Sequence, residues 1–416
     1  MKKRLGIGFV GAGFMTHFHI KAWRGVRHAD ICGVADPDSS RARAAVKACT
    51  GAQLGQPAAY DSAADLVADP AVDAIWICSP NDTRLAVMQE IADAVRSGRG
   101  QLIGVACEKP LARNAREARQ MVDLIEDLGL LHGYLENQVF TPSLVRGREI
   151  VWRRGAAVAG RPYLARCAEE HGGPHEPWFW LGERQGGGVL NDMMCHSIEA
   201  ARFLLTDPSK SRDTIRPVSV NAEIATLKWS RTEYVSLLKE MTQGAVDYAR
   251  TPAEDFARAN VTFEDQEGHQ LIAEVTTSWS FVGPGLRLNF ELMGPEYYMQ
   301  VNTLDPELHV FFSRRVSGRE GEDLVEKQTA EQGLMPVLAE EEIVYGYTEE
   351  DRHMVASFLN GVMPAETWKD GLLVTQLLMT AYKSSEQRRT LPFEPDAVAD
   401  YMPTVAKGTY RTGTRT

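Results

Sequence analysis

The stretch Leu5-Gly6-Ile7-Gly8-Phe9-Val10-Gly11-Ala12-Gly13-Phe14-Met15-Thr16 runs from a continuous apolar segment through two closely spaced glycines into a helical pattern. A central parallel strand is apolar on both faces, and glycines permit the tight turn that leads from it into a helix. Working outward, further apolar runs at residues 30–35, 74–78, 102–107 and 130–135 alternate with helical composition at 15–25, 39–50, 62–68, 83–97 and 114–128. This order predicts a parallel sheet covered by helices.

Beyond residue 140 the pattern changes. After a helical stretch at 142–154, the segments 218–227, 261–265, 271–281, 286–292, 297–301 and 308–312 alternate apolar and polar residues. In one of them Leu271, Ala273, Val275, Thr277, Trp279 and Phe281 share a face, opposite Glu274, Thr276, Ser278 and Ser280. A largely antiparallel sheet with one face on a core is expected, its polar face either solvated or an interface between subunits. The charged stretch 228–255 reads as an insertion between two strands, helical near 234–241. The polar stretch 314–331 reads as a loop or arm, and the tail 406–416 as loosely held. Thr348 before Glu349, Glu350 and Asp351 resembles a capping box opening a helix to about Phe358, and a second helix is expected from Lys369 to about Gln387.

The chain has 416 residues, enough for two cores, and its 44% hydrophobic and 24% charged residues are those of a folding globular protein. Domains are expected at 1–135 and 136–416, with helices returning toward the first domain after about 348. The net charge of −11 disfavours nucleic acid as a partner. No apolar run approaches the roughly 18 residues of a membrane span, so no membrane partner is expected. Six cysteines without a C-x-x-C pair read as small core hydrophobes of a reducing cytosol. Gly6, Gly8, Gly11 and Gly13 make the first apolar run a poor secretion signal, and a cytoplasmic location is expected.

Four motifs carry candidate chemistry. Gly11-Ala12-Gly13-Phe14-Met15 would let a pyrophosphate approach the backbone at a helix start, and Asp36, ending the next strand, can accept hydrogen bonds from a ribose. A carboxylate there favours NAD over NADP, although Arg41 and Arg43 keep NADP open. Glu108-Lys109-Pro110-Leu111 follows an apolar strand. Lys109 is there either a surface lysine in a turn or a side chain aimed at the ligand crevice. Gly186-Gly187-Gly188 opens a helix in which Asp192 and His196 lie four apart on one face. Those two are either a solvated ion pair or a proton acceptor with its carboxylate. Finally, Glu169 to Trp180 contains His171, His175, Trp178 and Trp180 around a Gly-Gly-Pro break. The break argues against a metal pair, leaving an aromatic loop that stacks on a polyhydroxy ring or a clasp holding the loop to the sheet.

Taken together, GAGFMTHFH, VADPD, CSPND, CEKPL and GGGVLNDMMCHSIEAARFLL resemble, in order, the motifs of the Gfo/Idh/MocA family, the glucose-fructose oxidoreductase and inositol dehydrogenase group. The resemblance implies an α/β chain with an N-terminal Rossmann dinucleotide-binding domain and a C-terminal α/β domain holding an open, largely antiparallel sheet. It also implies homodimers or homotetramers formed through that sheet. Its cofactor contacts fall on Gly11, Gly13, Phe14, Met15, Asp36, Ser79, Pro80, Asn81, Glu108 and Lys109, and its catalytic residues on Lys109, Asp192 and His196. Asn137, His171, Trp178 and Trp180 are further candidates for substrate contact, and no metal is expected. The chain departs from the family at Arg84, where many members have His, at Glu136-Asn137-Gln138, and in the 228–255 insertion. These departures bear on substrate identity rather than reaction type. The implied activity is NAD-dependent oxidation of a secondary hydroxyl of a sugar, glycoside or cyclitol. Two alternatives remain: transient oxidation serving glycoside cleavage, and a non-catalytic sugar sensor.

Overall fold

The computed structural model describes residues 4–313, 323–328 and 330–412. The chain divides into two compact units, residues 1–141 with 345–375, and residues 142–344 with 376–416. The expected boundary after residue 135 therefore lies later. The turn Asn137–Phe140 stays with the first unit, where the Asn137 side-chain amide donates to the Tyr345 carbonyl at 2.7 Å.

In the first unit, β1 (Leu5–Val10), β2 (Ala29–Ala35), β3 (Ala58–Tyr60), β4 (Ala74–Ile77), β5 (Gly104–Glu108) and β6 (Leu131–Leu135) form one sheet in the order β3-β2-β1-β4-β5-β6. Every neighbouring pair is parallel. Ile7, Phe9, Ile75, Trp76 and Val105 are wholly buried, as the unbroken apolar runs require. Only β3 lacked a signal, being three residues long and largely exposed. The strand order reverses between β1 and β4, so the chain leaves their carboxyl ends in opposite directions and opens a crevice there. The returning helix Tyr347–Asn360 starts without a capping box. Its N-cap is Gly346 at φ 94°, and Thr348 lies inside the helix with its hydroxyl 3.4 Å from the Ala22 carbonyl.

The second unit holds β7 (Leu164–Glu170), β8 (Ile215–Ala225), β9 (Phe256–Asp265), β10 (Gln270–Ser278), β11 (Arg287–Gly294), β12 (Tyr297–Asn302) and β15 (Leu391–Pro392), in the order β12-β11-β7-β10-β9-β8-β15. All pairings are antiparallel except β7 with β10. The segment β13 (Leu308–Phe312) does not join this sheet but pairs with β14 (Gly333–Val337). Ala257, Ala259, Val261 and Phe263 of β9 and Leu271, Ala273 and Val275 of β10 are buried, and the helix Val189–Leu205 packs on β7, β9 and β10. The opposite face carries ion pairs, Arg258 with Glu223 at 2.7 Å and Arg216 with Glu264 at 2.8 Å. The insertion contains the helix Thr232–Met241. Of the 314–331 stretch, residues 314–322 and 329 lie outside the described residues, as do 413–416 of the tail. The earlier part of that tail is held, with Ala406 buried and the Tyr410 hydroxyl 3.4 Å from that of Thr226.

Candidate active site

The carboxyl edge of the parallel sheet collects the expected cofactor residues of the first unit. Gly11 sits at φ 93°, and a Cβ there would fall 2.8 Å from the backbone of Ser79, so the turn closes against the end of β4. A Cβ at Gly13 would meet nothing within 4 Å, and Gly13 brings no capping side chain to the helix that begins at Phe14. That open, uncapped start fits a dinucleotide pyrophosphate. Asp36 accepts from the Ala12 amide and the Asp38 amide, each at 2.8 Å, which fixes its carboxylate beside the turn. Thr16, three residues after Gly13, is buried and donates its hydroxyl to the Gly11 carbonyl. Ser79 and Asn81 are buried in the loop after β4, and Met15 is partly buried.

Lys109 follows β5 directly, and its peptide bond to Pro110 is cis. The buried Glu108 carboxylate accepts from the Lys109 amide at 3.1 Å and meets His19 Nε2 at 3.0 Å. His19 Nδ1 lies 2.9 Å from Asp351, which also accepts from the Trp76 indole at 3.0 Å. Burial opposes charge on His19, but the two carboxylates outweigh it and raise its pKa well above the usual range. Burial likewise pushes Glu108 up, yet the hydrogen bond and charge of His19, with help from Lys109 and Arg84, bring it below the ordinary value. His19, Glu350 and Asp351 are close enough to share an ion. Both His19 nitrogens already face carboxylates, so the group reads as a hydrogen-bonded core.

Arg84 has a structural explanation. Its guanidinium, 4% exposed, donates to the carbonyls of Ser79 at 3.0 Å, Glu108 at 2.5 Å and Pro110. It therefore ties the loop after β4 to the loop after β5, the two segments expected to meet the cofactor. Nothing in the sequence spacing revealed this partner set, since the carbonyls carry no side-chain signature.

In the second unit Asp192 and His196 are 4% and 3% exposed, so the solvated ion pair is excluded. All seventeen residues of their helix are buried. One carboxylate close to His196 is that of Glu169, whose Oε2 lies 3.8 Å from Nε2. Glu169 is the penultimate residue of β7, a strand with no signal because Arg166, Glu169 and Glu170 interrupt its apolar set. His171 is buried and its Nδ1 accepts from the Gly173 amide at 2.9 Å, which leaves the ring proton on Nε2. Trp178 is partly exposed and stacked on Phe179 at 3.8 Å between centroids. Trp180 is different. It is 2% exposed, donates to the Pro174 carbonyl and packs edge-on against Trp229 and Tyr248 and beside Trp279. Its indole clasps the loop to the core, so of the two tryptophans only Trp178 keeps a face for a ligand. In the first unit Asn137 is committed, through its amide group, to Tyr345.

Residues 5–134 match the model of the GFO_IDH_MocA oxidoreductase family with an NAD-binding Rossmann fold, and residues 155–298 match that family's C-terminal domain. The chain is 30% identical over 204 residues to the rhizopine catabolism protein MocA of Rhizobium meliloti, covering 48% of this chain and 57% of that protein. It is 26% identical over 267 residues to the inositol 2-dehydrogenase of the same species, covering 64% and 66% of the two chains. These two alignments thus span less than two thirds of the relatives' lengths. The fold is shared with GenD2 from gentamicin A biosynthesis, solved in complex with NAD, at a TM-score of 0.74 and 23% identity over 94% of this chain and 97% of that one. No helix among the described residues is long and apolar enough to cross a membrane. From the matched motifs, both domain models and the strand order together, the chain belongs to the Gfo/Idh/MocA oxidoreductase family.

Proposed function

We propose that this protein oxidises a secondary hydroxyl of a sugar, glycoside or cyclitol with NAD as cofactor. The observation that carries the reading is the buried His196, placed with Asp192 on a helix that has no solvated face and backed by Glu169 at 3.8 Å. A buried imidazole beside a carboxylate is suited to take a proton near neutral pH. Gly11, Gly13, Phe14, Met15, Asp36, Ser79, Pro80, Asn81 and Glu108 would hold the dinucleotide. When bound, NAD supplies the hydride acceptor that no side chain offers. His196 removes the hydroxyl proton, Lys109 stabilises the developing alkoxide, and Asp192 and Glu169 orient and support the imidazolium. His171 and the exposed face of Trp178 recognise the polyol. Asp36 presents a carboxylate where NADP would carry a phosphate, which favours NAD.

A panel of inositols, pyranoses, anhydrosugars and glycosides, run with NAD and NADP in parallel, tests this reading. Net NADH formation with at least one polyol, and a preference for NAD, is expected. Release of an aglycone without net NADH would replace dehydrogenation by glycoside cleavage, and ligand binding without any turnover would point to a sensor. We also propose a homodimer or homotetramer through the ion-paired sheet face. Light scattering should then give a multiple of 46.1 kDa, and a monomer at micromolar concentration contradicts it.

A further inference from the structure

The helix bearing Asp192 and His196 begins at Val189, and Gly188 before it has no side chain with which to cap it. The amides at a helix start need partners from elsewhere. Here a residue from the end of the insertion supplies most of them. Glu254 is fully buried, and its Oε1 accepts from the Gly188 amide at 2.9 Å and the Leu190 amide at 3.1 Å. Its backbone carbonyl accepts from the Val189 amide at 3.1 Å. Tyr382 donates its hydroxyl to Glu254 Oε1 at 2.5 Å and accepts from the amides of Gly188 at 3.0 Å and Asn191 at 3.2 Å. The four amides from Gly188 to Asn191 are thereby all engaged by two residues.

The glycines are cut to fit this clamp. A Cβ on Gly187 would overlap the Tyr382 hydroxyl, and one on Gly188 would overlap the Glu254 carbonyl and lie 2.6 Å from its Oε2. The triple glycine thus admits a buried carboxylate and a phenol to the helix start, which a capping side chain would not need. Asp192 lies about one turn along from this cap and His196 about one further turn. Any shift of the first turn is passed along a rigid, buried rod to both.

We propose that Glu254, held by Tyr382, is a positioning residue for the oxidation, fixing the start of the helix and through it the placement of Asp192 and His196. The inference rests on the oxidation reading. It gives the insertion a task, since its final residues deliver the cap.

The test compares wild type, Glu254→Ala, Glu254→Gln and Tyr382→Phe as full-length proteins, with myo-inositol and the best polyol of the panel as substrates. Glu254→Ala should lower kcat about 10- to 100-fold, with KM and the NAD dissociation constant within about threefold. Glu254→Gln keeps an acceptor oxygen and should recover most of that loss. In Glu254→Ala the His196 ring titration, followed by NMR on histidine-labelled protein, should move by about half a pH unit or more. That readout needs no substrate. Should Glu254→Ala fail to fold, Tyr382→Phe must still lower kcat about threefold or more and displace the His196 titration. Variants that melt earlier but keep wild-type kcat and an unmoved His196 titration overturn the proposal. A wild-type enzyme inactive on every polyol overturns the oxidation reading instead, and an unmoved titration then refutes the positioning role separately.

Discussion

At the scale of single residues, the most consequential side chain outside the expected set is Arg84. A buried guanidinium donating to three carbonyls holds two loops together. Removing it strands three buried acceptors, each costing on the order of 1–3 kcal/mol. Arg84→Met should therefore lower the unfolding free energy by about 3 kcal/mol or more, and weaken NAD binding about tenfold, because the loops after β4 and β5 lose their tie. Chemical denaturation with nucleotide titration checks both. Loss of stability with unchanged NAD affinity would confine Arg84 to folding. The sequence marked Arg84 as a departure from the family but could not show its partners, because backbone carbonyls leave no trace in side-chain spacing. Lys109, Asp192 and His196 became candidates for the opposite reason: each stands in a local motif of a few residues.

Elements show the same contrast between local and distant causes. Strand β1 was readable to the residue because an unbroken apolar run is what two buried faces demand. Strand β7 was not, because charged residues on its outer face are paired across strands, Glu170 with Arg287 and Arg166 with Glu274, and such partners lie more than 100 positions away. Helix starts follow suit. Asn114 caps the helix Ala115–Asp127 from within its own turn, accepting from the Glu117 amide at 3.0 Å, whereas the helix Val189–Leu205 is capped from Glu254 and Tyr382. Asp255, beside that remote cap, accepts from the amides of Leu227 at 2.7 Å, Lys228 at 2.9 Å and Trp229 at 2.8 Å, closing the insertion at its base. Asp255→Ala should lower stability by about 2–4 kcal/mol. The backbone amides of 227–229 should become exchange-labile, as hydrogen exchange would show. Unchanged protection of those amides would mean that Trp229, packed on Trp180, holds the base alone.

Across the whole molecule, both units bury paired ionisable groups, Glu199 with Arg202 at 3.1 Å in the second among them. The first unit pairs buried ionisable groups, as in His19 between Glu108 and Asp351, while leaving one imidazole effectively neutral. Burial pushes His132 down to about 4 from 6.5, and its Nδ1 accepts from the Trp368 amide at 3.0 Å. Because the unfolded chain protonates this histidine first, the folded state has its full contribution above pH 6.5 and loses it progressively as pH falls toward 4. The melting temperature of wild type should fall across that window more steeply than that of His132→Asn, and parallel curves would contradict the assignment.

In the proposed oxidation His196 takes the hydroxyl proton, and bound NAD would supply the hydride acceptor. The most direct test is single-turnover NADH formation, by absorbance, from the best polyol of the panel with saturating NAD, comparing wild type with His196→Ala. A rate lower by about 10²–10⁴-fold is expected in the variant, with NAD affinity preserved. NADH formation at the wild-type rate in the variant would contradict it.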